Sequence, residues 1–197
     1  MNADDMKSFA AILVLLALAG CSTDSRSSAF KPGSAVVRSV LGDVQYGNGG
    51  VWKRLRVNRE LTNGDQIRTG HGSYVYLQVN GSTSTLVLVE DSELGLSEMM
   101  AQNALTTRTA LEVGKGKILG KIKKLALDSS FHVRGGGVTL EISGGDFQMS
   151  AEGRVEAVNG EMTVQAGGKT YQLLTGEYFD AKKNEVGRLP AQPIILN

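Results

Sequence analysis

Asn63-Gly64-Asp65-Gln66-Ile67-Arg68-Thr69-Gly70, followed after His71 by Gly72-Ser73-Tyr74-Val75-Tyr76-Leu77-Gln78-Val79-Asn80-Gly81, decides the fold of this chain. Clusters of Gly, Asn and Asp bracket two short stretches. In the second stretch Val75, Leu77 and Val79 alternate with Tyr74, Tyr76 and Gln78, the period of two that sends successive side chains to opposite faces of a half-buried strand. The same alternation predicts strands over Ala35 to Val40, Val51 to Val57, Thr85 to Val89, Val138 to Ile142, Arg154 to Val158 and Thr170 to Leu174. Helical periodicity is confined to one short candidate, Glu98 to Leu105.

Turn signals are dense. Asn48-Gly49, Asn63-Gly64, Asn80-Gly81 and Asn159-Gly160 are Asn-Gly pairs, whose two residues tolerate the positive φ of type I′ hairpin turns. Gly followed by an acid opens an apolar stretch at Gly42-Asp43, Gly64-Asp65, Gly145-Asp146, Gly160-Glu161 and Gly176-Glu177. Glycine supplies 25 of 197 residues, far above its usual share of about 7%. Because the spacings are irregular, the expectation is an all-β single domain, an irregular β-roll, solenoid-like stack or sandwich of short strands, and not a strict short-period solenoid.

Gly42-Asp43-Val44, Trp52, Gly64-Asp65-Gln66-Ile67-Arg68-Thr69-Gly70, Ser73 and Ser92-Glu93-Leu94 occur in an order that resembles the FecR family, the periplasmic domain of ferric-citrate-type signalling regulators. The second half is similar in Phe131-His132-Val133 and in Leu173-Leu174-Thr175-Gly176-Glu177-Tyr178. It departs at Arg134-Gly135, where relatives often carry Thr-Pro, and at Ser143-Gly144-Gly145-Asp146, where they carry Arg-Gly-Thr. The resemblance runs from Ser34 to Phe179 and implies a β-domain that contacts a protein partner.

Two roles are open for the signature Gly64, Asp65, Ile67, Thr69 and Gly70. Glycines that reach otherwise closed backbone angles, and Asp and Thr that hydrogen-bond turn amides, describe a structural corner. The other role is partner contact. Trp52 is expected in the core or at its rim, with a ligand-stacking platform as the alternative.

At the N-terminus, Lys7, the apolar run Phe9 to Ala19 and the small residues before Cys21 have the three parts of a secretory signal. The apolar run is shorter than the ~20 residues of a spanning helix. Leu18-Ala19-Gly20-Cys21 resembles a bacterial lipobox, which implies cleavage before Cys21 and a lipid on its thiol. Several acyl chains would hold the protein on a membrane, and Ser22 points to the outer membrane, facing the periplasm. Asp4 and Asp5 fit a signal's start badly, and Met6 begins a better one. The expected organisation is a signal peptide at 1–20, a lipidated flexible tether at 21–34, a FecR-like β-domain at 35–182 and a C-terminal tail at 183–197.

The chain carries 21 basic and 20 acidic side chains. The signal removes only Lys7, Asp4 and Asp5, so the mature chain is nearly neutral and no whole-chain attraction to nucleic acid is expected. Cys21 is the only cysteine, so the core must stabilise the domain without disulfides. His71 and His132 are the only histidines and cannot form a three-histidine metal site; both are expected at the surface. Gly168-Lys169-Thr170 lacks the first glycine of a phosphate loop, since Thr163 stands there. Asp91 and Glu93 could share a strand face as a catalytic-looking pair, although a solvated acidic edge is the simpler expectation. No catalytic residue, cofactor or metal is assigned, and an enzyme is not expected.

Lys115, Lys117, Lys121, Lys123 and Lys124 form the densest basic segment. In a strand, Lys117, Lys121 and Lys123 share one face and Ile118 and Ile122 the other. That face is a solvated edge that blocks aggregation or a contact for lipopolysaccharide, anionic lipid or an acidic partner.

The expected function is that of a non-catalytic envelope lipoprotein presenting its β-domain for protein–protein interaction or signalling. The regulators it resembles carry a cytoplasmic anti-sigma segment and a spanning helix; neither is read here, so a stand-alone adaptor is expected. The alternative is a structural envelope module that binds glycan or cell-wall polymer.

Overall fold

A computed structural model of the chain describes residues 31–80, 84–102 and 106–190. The signal peptide, Cys21, most of the tether and residues 191–197 lie outside them. Among the described residues there is no helix. The strands are β1 (Lys31–Pro32), β2 (Ala35–Leu41), β3 (Val44–Asn48), β4 (Val51–Arg54), β5 (Glu60–Leu61), β6 (Gln66–Thr69), β7 (Tyr74–Val79), β8 (Thr85–Leu88), β9 (Glu93–Ala101), β10 (Thr107–Lys115), β11 (Lys117–Ile122), β12 (Ser130–Gly135), β13 (Val138–Ile142), β14 (Gly145–Ser150), β15 (Arg154–Asn159), β16 (Met162–Ala166), β17 (Lys169–Leu173), β18 (Glu177–Asp180) and β19 (Glu185–Arg188).

They form two facing sheets. The first runs β17-β16-β13-β12-β10-β9-β6-β3-β4, with β1 added to the far end of β9; the second runs β19-β18-β15-β14-β11-β8-β7-β2-β5. From β7 onward the chain lays strands alternately into the two sheets: β7–β8 in the second, β9–β10 in the first, β11 in the second, β12–β13 in the first, β14–β15 in the second, β16–β17 in the first and β18–β19 in the second. The result is all-β as expected, and of the three arrangements left open by the sequence it is the sandwich of short strands. A hairpin inserted in one sheet returns the chain antiparallel to the strand it left in the other. Between β10 and β12 only the single strand β11 intervenes, so this return is parallel, with Arg108 opposite Ser130 and Glu112 opposite Arg134. Among the described residues, pairing runs from Lys31 to Arg188.

Between the sheets lies one apolar core, which includes Leu61, Ile67, Leu77, Leu88, Leu94, Met99, Phe131, Phe147 and Phe179, each at most 2% exposed. β7 shows how the sequence dictates this: Val75, Leu77 and Val79 are buried, while Tyr74 faces solvent. Phe131 on β12 and Phe147 on β14 meet edge to face across the two layers, with centroids 6.5 Å apart. Gly120 on β11 makes that packing possible, since a Cβ there would sit 2.1 Å from the Phe147 ring.

Three expectations are corrected. Glu98 to Ala101 is not helical but is the second half of β9, with Glu98 opposite Ala110 and Met99 opposite Thr109 on β10; burial of Met99 and cross-strand pairing override local helix propensity. Residues 103–105 of that candidate lie outside the described residues. β4 ends at Arg54, short of Val57, because Leu55 turns into the core and its amide donates to the Val44 carbonyl. The described Asn-Gly pairs do not form type I′ turns. Those turns are made by Gly49-Gly50, Gly136-Gly137 and Gly167-Gly168, whose paired φ values are 67° and 91°, 57° and 75°, and 55° and 75°. At Asn63-Gly64 and Asn159-Gly160 only the glycine has positive φ; at Asn80 the asparagine does, and Gly81 lies outside the described residues.

Gly120→Ala is expected to destabilise the domain by about 1–3 kcal/mol through overpacking against Phe147. Combining it with Phe147→Leu should recover part of that loss. Urea unfolding of the two single variants and the double variant measures the coupling, and additive effects would refute the contact.

Candidate functional site

The signature stretch folds into a corner whose groups point inward. Gly64, at φ 84°, closes the turn in which the Asp65 amide donates to the Thr62 carbonyl. The Asp65 carboxylate, 8% exposed, accepts the Thr62 amide at 2.8 Å. Ile67 is fully buried. The Thr69 hydroxyl donates to the Val89 carbonyl and accepts the Ser92 amide at 3.0 Å. Gly70 donates its amide to the Asp43 carbonyl, and its own carbonyl accepts the amides of Ser73 and Asp91. The corner therefore holds β6 against the turns before β3, β7 and β9.

Buried serines continue this pattern along the sandwich. Ser73 Oγ accepts the Asp43 amide at 2.8 Å, Ser92 Oγ the Lys117 amide at 2.9 Å and Ser84 Oγ the Lys123 amide at 3.1 Å. These three serines are at most 3% exposed. At each corner an amide loses its ladder partner, and an unpaired buried amide is expensive.

The lysine face is as the alternation predicted. Lys117 and Lys121 project outward from β11 while Ile118 and Ile122 are buried, and Lys123 follows the strand's end. Lys117 Nζ donates to Gln148 at 3.2 Å, and Lys121 lies opposite Asp146 in register. Arg154 nearby is committed elsewhere: it bonds Glu156 at 2.8 Å, lies 3.7 Å from Asp180 and stacks 4.0 Å over Tyr178. The hydrogen bond that Arg154 Nε donates to the Glu156 carboxylate holds the guanidinium pKa above the ordinary value.

His71 is exposed, with Nδ1 3.2 Å from Glu90 and 3.4 Å from Asp91. Asp91 stands in the β8–β9 turn at φ 51°, off the strand, and so does not share a strand face with Glu93 as the alternation had suggested. His132 is half-buried on the outward face of β12, between Ala110 and Glu141.

Trp52 is not in the core between the sheets. It lies half-buried on the outward face of edge strand β4, opposite Gly47, where a Cβ would come within 3.2 Å of the indole. Arg68 on β6 stacks over the indole at 4.1 Å and is held there by two bonds to Gln45 Oε1, at 3.0 and 2.7 Å. Beside the indole is a depression of about 170 Å³ bounded by Trp52, Gln66, Glu93, Gly95, Glu112 and Gly114. Of these, Trp52, Gln66 and Glu93 stand in the motifs that carry the resemblance, and Glu93 also in the acidic edge. Gly95 and Gly114 leave the only trace, as glycines inside alternating runs with no turn residue beside them.

No protein-family profile matches the chain, and no curated protein matches it. Two crystal structures of a putative anti-sigma factor from Parabacteroides distasonis ATCC 8503 are similar in fold, with TM-scores of 0.51 and 0.52 and 16% identity. The likeness covers 66% of this chain and 62% of that protein, so the chain spans about three fifths of the length it matches.

Ser92→Ala, which strands the Lys117 amide and removes a bond to the Glu90 carbonyl, is expected to destabilise the domain by about 1–3 kcal/mol. The exposed Ser97→Ala should stay within about 0.5 kcal/mol. Equal urea midpoints for the two variants would refute the corner role.

Proposed function

We propose that this chain is a non-catalytic envelope lipoprotein, anchored through Cys21 to the outer membrane and facing the periplasm, whose FecR-like β-domain binds a protein partner in a signalling pathway. The observation that carries this reading is the fold held in common with a putative anti-sigma factor, and it is supported by the FecR-like order of residues in the sequence. The corner geometry supports it in a specific way. Asp65, Ile67, Thr69 and Ser73 are used up in holding the sandwich, so their agreement with the family describes architecture. A partner would then be met on outward strand positions, which the core does not constrain. The lipid keeps such a domain near the membrane, raising the local concentration of a membrane-bound partner.

In-cell crosslinking followed by mass spectrometry tests the proposal, with Cys21→Ala as the unanchored control. One dominant protein partner, reduced in the control, is the expected result. Recovery of cell-wall fragments in place of a protein would overturn it in favour of a structural module that binds cell-wall polymer.

A further inference from the structure

Several glycines in the strands have a visible reason. Gly47 lies under Trp52, Gly120 under Phe147 and Gly187 under Tyr178, where a Cβ would come within 3.2, 2.1 and 2.5 Å of the ring. Gly95 and Gly114 have none. Neither has a positive φ, and a Cβ at Gly95 would meet only Glu112 at 3.8 Å, and at Gly114 only Glu93 at 3.9 Å, both ordinary contacts. Gly114 is the extra residue of a bulge between β9 and β10, but without a positive φ that bulge accepts any side chain. Glycine inside a strand weakens it and often marks a place where something approaches the backbone closely. Both of these glycines open into the same depression, beside Trp52.

The walls of that depression carry charge. Gly95 faces Glu112 across the β9–β10 ladder, and Glu93 flanks Gly114, so two vacancies alternate with two exposed carboxylates. Among the described residues neither carboxylate has an ion-pair partner within 4 Å, although Arg68 and Lys115 lie opposite Glu93 and Arg134 opposite Glu112 in register. Arg68 is drawn away by Gln45 and the indole.

We propose that this depression receives a lysine or arginine side chain of a partner polypeptide, its aliphatic stem on Trp52 and the Gly95 backbone and its charged head between Glu93 and Glu112. Such side chains bury the stem while the head stays polar, and bonds from a cation to carboxylates are among the stronger polar contacts. An uncharged sugar ring is the weaker fit, because it would leave the two carboxylates without a cation. This deepens the partner-binding proposal and depends on the partner being a protein.

The indole of Trp52, the only tryptophan, gives a unique reporter. The full chain, purified in detergent and labelled with ¹⁵N, is titrated with N-acetyl-arginine amide, with the isosteric neutral N-acetyl-citrulline amide and with N-acetylglucosamine oligomers. The arginine probe is expected to shift the Trp52 Nε1–H and the Gly95 and Gly114 amides saturably and more weakly as salt is raised. The double variant Glu93→Gln, Glu112→Gln should weaken it at least about tenfold. Gly95→Val, which the backbone admits, should abolish the shift without lowering the urea midpoint. Equal responses to arginine and citrulline, an unchanged response in the double variant, or shifts with the sugar oligomers alone would each overturn the assignment. Crosslinking of the Gly95→Val chain separates the two levels. A partner retained at wild-type yield would refute the cleft and leave partner binding standing, whereas a partner lost supports both.

Discussion

The structure depends on how the polypeptide changes sheets. A chain that fills two facing sheets in turn must leave one layer and enter the other many times, and each crossing takes backbone amides out of their ladder beside an apolar core. Short buried acceptors solve the problem locally. Thr69 takes the Ser92 amide, Ser92 takes the Lys117 amide, Ser73 takes the Asp43 amide and Ser84 takes the Lys123 amide. Thr69 and Ser92 are linked in sequence along the sandwich, so one corner orients the next. Hydroxyls suit the task because they accept and donate at once: Ser92 accepts from Lys117 and donates to the Glu90 carbonyl.

With the corners fixed, the core needs only strands of the right parity. Among the described residues, the fully buried core side chains before Phe131 are aliphatic or methionine, and three phenylalanines follow. The larger rings need room, and glycine provides it on a neighbouring strand, as Gly120 does for Phe147. The same device appears outside, where Gly47 lets Trp52 lie flat against the first sheet. A glycine under an aromatic ring recovers in packing what it loses in backbone entropy. Gly95 and Gly114 have no such compensation, and that contrast distinguishes the depression from ordinary sheet surface.

Much of the architecture was legible because period-two alternation survives wherever one face is buried. Val138–Ile142 is a strand with the bounds the sequence suggested, and the β11 lysines face outward as their spacing implied. Local signals failed where a distant strand decided the outcome. Glu98, Met99, Met100 and Ala101 suit a helix individually, but β10 lies within pairing reach. Asn48-Gly49 and Asn63-Gly64 stand at turns, but Gly-Gly took the type I′ hairpins. The depression was nearly invisible because Trp52, Glu93, Gly95, Glu112 and Gly114 come from three strands, and only their register makes them neighbours.

The residues that carry the resemblance are therefore committed to the core and the corners. Ile67 fills the core, while Asp65, Thr69 and Ser73 satisfy corner amides, so a chain that kept these residues would keep the fold whatever it bound. Outward positions carry no such obligation. A sheet presents half of its residues to solvent, and substitutions there leave the core and the corners untouched. A sandwich with its signature turned inward is a frame whose outward side chains are left free to vary. In this chain the outward row Trp52, Gln66, Gly95 and Glu112 departs from what stability alone would select at Gly95, where a Cβ meets only ordinary contacts and a β-branched residue would strengthen the strand.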